Sequence, residues 1–398
     1  MRRRLAVLIV SSVALHTHAA AQGPHRPNRA THDSAVSSRL TDSTRAVLTR
    51  ALEDGAFPGA IAVIGSSIGI LASYGVGQLD VTDSSRPTTT TIYDLASLTK
   101  VIATTSLMLH LVDAGRVALD TPAVRYLPDW HGPRASEVTV RQLMTHSSGL
   151  AAWRAFYKEA TDKADARAQL MLVGPDAPPG TRYLYSDMNF MLLGMIAERL
   201  TGMPLDSAFQ VLVAQPLKLV DTRFRPDSSL RARIAPTEFD PWRQRQLRGE
   251  VHDENASRFG GVSGHAGLFS TATDLSRVAR MWMNGGTLDG VRFASPAMVA
   301  TFTRAQDTLV SKRALGWETP NGTNSAGRRF SSRAFGHTGF TGTSIWIDPS
   351  RDVFVILLTN RVNPTRENKK IGGVRIALAD AIAGALDGAG GRTGPSMP

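Results

Sequence analysis

The chain contains no cysteine. A disulfide framework and a lipid anchor on cysteine are therefore excluded. Long apolar runs are missing too. After Leu15 no stretch is apolar enough to span a bilayer, and no internal repeat is visible. There is also no long basic run. The 45 Lys and Arg against 34 Asp and Glu leave a net charge of +11, but the arginines are scattered. Nucleic-acid recognition is set aside on that ground, because it needs basic residues gathered into a patch or stripe. Weak attraction to an anionic cell envelope is the simpler reading. What is present is an ordinary globular composition. With 42% hydrophobic residues over 398 positions, a sizeable core is expected, in one large domain or two intimate ones.

The first residues read as targeting rather than fold. Arg2, Arg3 and Arg4 form a basic start, and Leu5 to Leu15 is mostly apolar but too short for a span. Ala19-Ala20-Ala21 supplies a small-residue cleavage signal. Residues 1–21 are thus predicted to be a secretory signal peptide, cut near Ala21. The paired arginines also fit twin-arginine export. The mature protein is expected in the periplasm or outside the cell, with no membrane span. Three of the positive charges lie in the leader, leaving +8 beyond it.

Residues 22–38 are polar and predict a flexible lead-in. A helix is expected from Arg39 to Asp54, closed by Gly55. Ala60 to Ile64 and Ile68 to Tyr74 read as a hairpin. From Ser97 a helix begins, with Val101, Thr105, Met108 and Val112 on one face. The spacing predicts further helices over Ser186–Leu200 and Thr273–Met283. Strands return at Thr343–Ile347 and Val353–Thr359, joined by Asp348-Pro349-Ser350-Arg351. A last helix runs from about Gly373 to Leu386, before a flexible tail over 389–398. Strands at both ends with helices between predict an α/β (α+β) fold. The sheet subdomain is drawn from about 39–96 and 305–388, and the inserted helical one from about 97–304. The cleft between them is where a site is expected.

Three short motifs carry the chemistry. The first is Ser97-Leu98-Thr99-Lys100. A serine hydroxyl needs a base, and positions three apart share a helix face, so Lys100 can reach Ser97. The first turn of the helix also offers free N–H groups to a developing oxyanion. The second is Tyr185-Ser186-Asp187, opening a helix. The third is His337-Thr338-Gly339, leading into a strand. In order and spacing the set resembles that of the serine β-lactamases and penicillin-binding proteins, S-x-x-K, Y-x-N and K-T-G. The chain is most similar to the branch with class C β-lactamases, serine DD-peptidases and related esterases. Leu143–Leu150, Asn189–Gly194 and Gly264–Thr271 extend the resemblance over about residues 40–388.

This resemblance implies a β-lactamase-like fold, with an antiparallel sheet flanked by helices. It makes Ser97 the nucleophile, Lys100 its activating partner and Tyr185 the phenol that relays a proton. The backbone N–H groups of Ser97 and Phe340 become the oxyanion hole. Asp187, Asn189, His337, Thr338 and Gly339 become substrate-facing. Two departures stand out. Asp187 replaces Asn, so an ionised group there only accepts hydrogen bonds and is expected to repel a substrate carboxylate, unless Asn189 takes over. His337 replaces Lys, which exchanges a fixed charge for a pH-dependent one. Both changes disfavour β-lactam hydrolysis.

His252-Asp253-Glu254-Asn255 precedes Arg258-Phe259-Gly260-Gly261. His252 and His265 lack metal-ligand spacing, so His252, Asp253 and His265 are assigned to the cleft wall and no metal is expected. From His252 to Thr271 the pattern is similar to family members acting on cell-wall fragments, including exo-acting N-acetylmuramyl-L-alanine amidases. His146 is read as a loop hydrogen-bonding residue. The expectation is a secreted serine hydrolase that cleaves an amide or ester through a Ser97 acyl-enzyme. It needs no cofactor, and its substrate is a small molecule or peptidoglycan fragment. A class C-like β-lactamase and a catalytically silent envelope-binding protein of the same fold are the alternatives.

Overall fold

The computed structural model describes residues 29–390, apart from 83 and 308. The signal peptide expected over 1–21 and the last residues of the chain lie outside the described residues. Two runs of small and β-branched residues form the first hairpin, β1 (Gly59–Gly65) and β2 (Ile70–Gly77). Near the C-terminus come β6 (Phe335–Thr338), β7 (Ser344–Asp348) and β8 (Val353–Thr359). Between them, β3 (Tyr93–Asp94), β4 (Arg223–Phe224) and β5 (Leu268–Ser270) form a separate three-stranded sheet.

The main sheet has the order β6-β7-β8-β1-β2, and all neighbours are antiparallel. The central strand β8 and its neighbour β1 come from opposite ends of the chain: Ala60 pairs with Thr359 and Gly65 with Phe354. Both are buried along their whole length, so each face must be covered. Alternation does this. Ala60, Ala62 and Ile64 meet Leu40 and Leu48 of α1 (Arg29–Glu53) and Leu378 and Ile382 of α6 (Ile371–Gly390). Ile61 and Val63 face the other way, into one core with Leu275, Val278 and Trp282 of α5 (Ala272–Met283).

Three boundaries differ from expectation. α1 begins at Arg29, so residues 29–38 of the expected lead-in are helical. Ser37 Oγ there donates to Leu71 O at 2.5 Å, which ties this turn to the sheet. α6 reaches Gly390, two residues into the expected tail. α5 lies within 97–304 yet packs on the main sheet. Its apolar stripe covers a sheet face that would otherwise meet water.

The inserted region is built around α2 (Thr105–Asp113), α3 (Val140–Met144) and α4 (Asp187–Thr201), which share a core through Leu107, Met108, Leu143, Phe190 and Ile196. α4 closes where Gly202 turns left-handed at φ 70, a conformation glycine reaches at little cost. The short sheet β3-β5-β4 joins the inserted region to the strand side of the cleft. Among the described residues no helix is long and apolar enough to cross a membrane.

Candidate active site

β3 delivers the chain into the cleft and a strained turn redirects it. Ala96 sits at φ 47, a region that disfavours any residue with a Cβ. Two bonds hold it there. Buried Asp94 accepts from Ala96 N at 2.8 Å, and Leu95 O accepts from Leu98 N at 3.1 Å. Ser97 follows at the mouth of a helix that starts with a π-helical turn over Lys100–Thr104. Such wide turns recur at functional sites.

One turn on, Lys100 is fully buried. Its Nζ lies 3.0 Å from Ser97 Oγ and 3.1 Å from the His265 carbonyl. It also forms an ion pair with Asp187 Oδ1 at 2.8 Å. Tyr185 and Asp187 are brought in by the start of α4. Ser186 N donates to His146 Nδ1 at 3.1 Å, and Asp187 N donates to Ala152 O at 3.0 Å. The His146 ring lies against Tyr185, with centroids 4.5 Å apart. The Lys100 ammonium lies over the Tyr185 ring, 5.0 Å from its centroid, and Lys100 and Ser97 both act to lower the phenol's pKa.

Burial acts to lower the Lys100 pKa, but Asp187 and Tyr185 outweigh it and hold the group above its usual value. Burial pushes the Tyr185 phenol up, against the pull of Lys100. The resting site therefore holds an ammonium and a phenol.

β6 forms the opposite wall. His337 Nδ1 lies 2.8 Å from the Thr338 carbonyl, while its buried Nε2 has no partner among the described residues. Burial, then Arg313 and Lys100, hold His337 well below the ordinary histidine range. The pH-dependent charge expected here is therefore replaced by a neutral ring. Gly339 lets β6 approach the Ser97 turn closely. A Cβ there would stand 2.4 Å from Leu95 O and 2.1 Å from Thr343 Oγ1. Thr341 Oγ1 donates to Asp94 O at 2.7 Å and Thr343 Oγ1 to Leu95 O at 3.0 Å. Arg375 Nη2 donates to Gly339 O at 2.7 Å and to Thr343 O at 2.8 Å. The N–H groups of Ser97 and Phe340 donate to no protein acceptor among the described residues. A cleft of about 680 Å³ is lined by Ser97, Tyr185, His337, Thr338, Gly339 and Phe340.

Ser97, Lys100, Tyr185, Asp187 and the 337–340 segment thus come together. Three other expected residues do not line the cleft. Asn189 is fully buried and bonds Ser148 Oγ at 2.6 Å and His146 Nδ1 at 3.1 Å, so it cannot take over from Asp187. His252 is buried, with its ring nitrogen on Glu238 at 2.8 Å and its face stacked on Phe340. His265 is buried between Ser263 Oγ at 2.9 Å and Asp253 Oδ1 at 3.0 Å. Only Asp253 keeps an exposed edge. Burial acts to raise the Asp253 pKa, but the facing His265 and the Ala256 N–H hold it well below the usual carboxylate range. Asp187, Asp253 and His265 bring donor atoms within 4.8 Å of one another, and the cation that Asp187 holds is Lys100's own ammonium.

Asp187 also differs from expectation. Its charge is spent on Lys100 rather than turned on the substrate, so the repulsion of a substrate carboxylate loses its basis. Sequence reasoning missed Arg313, which is buried against Tyr185 at 5.7 Å and lines the cleft with Lys312, Arg361 and Arg375. It also missed Asp94, the carboxylate under the Ser97 turn.

Fold and site together define a serine hydrolase related to the β-lactamases and penicillin-binding proteins. The chain belongs to the Beta-lactamase family, whose model matches residues 44–379. A relative from Salmonella typhimurium, described as "Putative D-alanyl-D-alanine carboxypeptidase", is 32% identical over 319 residues, 72% of this chain and 73% of that protein. A penicillin-binding protein homologue from Caulobacter crescentus has the same fold, with TM-score 0.69 and 22% identity over 87% of this chain and 97% of that one. So does the hydrolase EstCE1, with TM-score 0.71 and 20% identity over 87% of this chain and 99% of that one.

Proposed function

We propose that this protein is an exported hydrolase that cleaves an amide or ester in peptidoglycan-derived fragments through an acyl-enzyme on Ser97. The observation that carries the reading is the contact of Lys100 Nζ with Ser97 Oγ at 3.0 Å, made inside a buried network that includes Tyr185. A hydroxyl so placed has a proton path, which is what a serine nucleophile needs.

Ser97 Oγ attacks the carbonyl carbon, and its proton enters the Lys100–Tyr185 network. The oxyanion that forms lies between the N–H groups of Ser97 and Phe340, donors with no competing protein acceptor. On collapse Tyr185 protonates the leaving group. Water then repeats the sequence on the acyl-enzyme. Lys312, Arg313, Arg361 and Arg375 line the cleft against one acid, Glu318, which supports an anionic substrate. The carboxypeptidase description of the Salmonella relative supports a cell-wall substrate, and the leader expected over 1–21 supports export.

The test is a panel of p-nitrophenyl esters, muropeptides and nitrocefin, with wild type and Ser97→Ala. Turnover of muropeptides or esters that is lost in Ser97→Ala supports the reading. Nitrocefin as the best substrate makes the protein a β-lactamase instead. Failure to turn over or become labelled by any of them favours a silent binding protein.

A further inference from the structure

The resting site poses a question of proton inventory. Ser97 must lose a proton, yet Lys100, which touches its hydroxyl, and Tyr185, beside Lys100, already carry theirs. Lys100 Nζ faces three oxygens, Ser97 Oγ at 3.0 Å, His265 O at 3.1 Å and Asp187 Oδ1 at 2.8 Å. An ammonium donates to all three at once. Tyr185 is a phenol in a buried setting, and Arg313 and Lys100 over its ring do not release its proton. The His146 and His337 rings flank that of Tyr185 at 4.5 and 6.0 Å, and among the described residues neither hydrogen-bonds Ser97 or Lys100. Asp253 is engaged by His265 Nε2 at 3.0 Å and Ala256 N at 2.7 Å. Among the described residues, one carboxylate side chain is left in contact with Lys100 Nζ, that of Asp187.

Resting on the reading of Ser97 as nucleophile, we propose that Asp187, through its 2.8 Å contact with Lys100 Nζ, is the final acceptor of the Ser97 proton. The residue that departs from the family's Asn thereby becomes the base at the end of a Ser97–Lys100–Asp187 relay. As the Oγ–C bond forms, the carbonyl π electrons move to oxygen. An Nζ proton first passes to Asp187 Oδ1, and the neutral amine this leaves, its lone pair turned to Ser97, takes the Oγ proton. When the tetrahedral intermediate collapses, the bond to the leaving nitrogen or oxygen breaks. Tyr185 gives that atom its proton and is reprotonated by Lys100, which recovers the proton held on Asp187. The three side chains end as they began, and the Ser97 proton has left on the leaving group. Asp187 acts through Lys100 and is in this sense a positioning and relay residue. The amide of an Asn at this place could hold Lys100 but could not take its proton.

The test is the pH profile of kcat for Asp187→Asn, read with p-nitrophenyl acetate on the full mature chain. Without its carboxylate partner the buried Lys100 can work only as a free amine. Activity should then fall at least ~100-fold at pH 6, the scale of a lost acid–base partner, and recover as pH rises toward 9. Asp187→Glu keeps a carboxylate and should keep the wild-type profile at a lower kcat. It also serves if Asp187→Asn does not fold, as judged by circular dichroism. A loss in Asp187→Asn that is equal at every pH, an unchanged kcat at pH 6, or an Asp187→Glu profile like that expected of Asn would overturn the relay. Wild type that turns over neither esters nor amides would instead overturn the function on which it rests.

Discussion

Adding one methyl group at Gly339 should disable the oxyanion site. The Cβ of Gly339→Ala would lie 2.4 Å from Leu95 O, whereas ordinary contacts begin near 3.4 Å. The gap between β6 and the Ser97 turn must therefore open by about 1 Å. Those two segments carry the two proposed oxyanion donors, the N–H of Phe340 and the N–H of Ser97. Oxyanion donors act at about 2.7–3.1 Å, so a shift of about 1 Å takes one out of range and costs roughly 10²–10³ in kcat. The added carbon also breaks the Thr343–Leu95 bond, and overpacking of this kind costs on the order of 1–3 kcal/mol, a fall of a few degrees in Tm. Steady-state hydrolysis of p-nitrophenyl acetate and thermal unfolding read the two effects. Gly372→Ala is the control, since nothing lies within 4 Å of its added carbon. A Gly339→Ala protein with wild-type kcat and Tm would refute the reasoning.

Lys100→Ala and Tyr185→Phe should each lower kcat at least ~100-fold, and together far less than the product, because they serve one proton path; simple multiplication in a double-mutant cycle would contradict this. Burial, then Arg313 and Lys100, depress the His146 and His337 pKa values, so the unfolded chain binds protons that the folded one refuses. Stability should drop as pH is lowered from about 6.5 toward the folded values, by up to ~1.4 kcal/mol per unit for each ring. Thermal unfolding between pH 7.5 and 5 should show a shallower slope for His337→Gln than for wild type, and equal slopes would count against a neutral buried ring. Asp240→Ala should destabilise by about 3 kcal/mol or more, since it leaves Arg243, 7% exposed, without its buried partner; denaturant unfolding with a loss below ~1 kcal/mol would exclude that role.

Strand periodicity and the helix-closing glycines were legible, since β1, β8 and α4 owe their form to local patterns. The start of α1 was not. Residues 29–38 are polar, and what orders them is a distant contact, Ser37 with Leu71. The placement of α5 on the sheet was hidden for the same reason, because an apolar stripe does not name its partner. In the site, Ser97, Lys100 and Tyr185 follow from motif and helix spacing. The orientation of Asp187 does not, because it is set by α4 meeting Lys100 across 87 positions of chain. Asn189 and His252 look like cleft residues by proximity in sequence to Asp187 and Asp253. Two helical positions, or one residue of loop, are enough to send them inward. Arg313 lies in a stretch with no motif at all and reaches Tyr185 only through tertiary packing.

The central claim is a covalent bond to Ser97 Oγ, and intact-protein mass spectrometry tests it directly. Wild type mixed with an activated ester and quenched within seconds should gain the mass of one acyl group. Peptide mapping should place that group on Ser97, and Ser97→Ala should gain nothing. An acyl group found on another residue, or turnover by Ser97→Ala at the wild-type rate, would contradict the account.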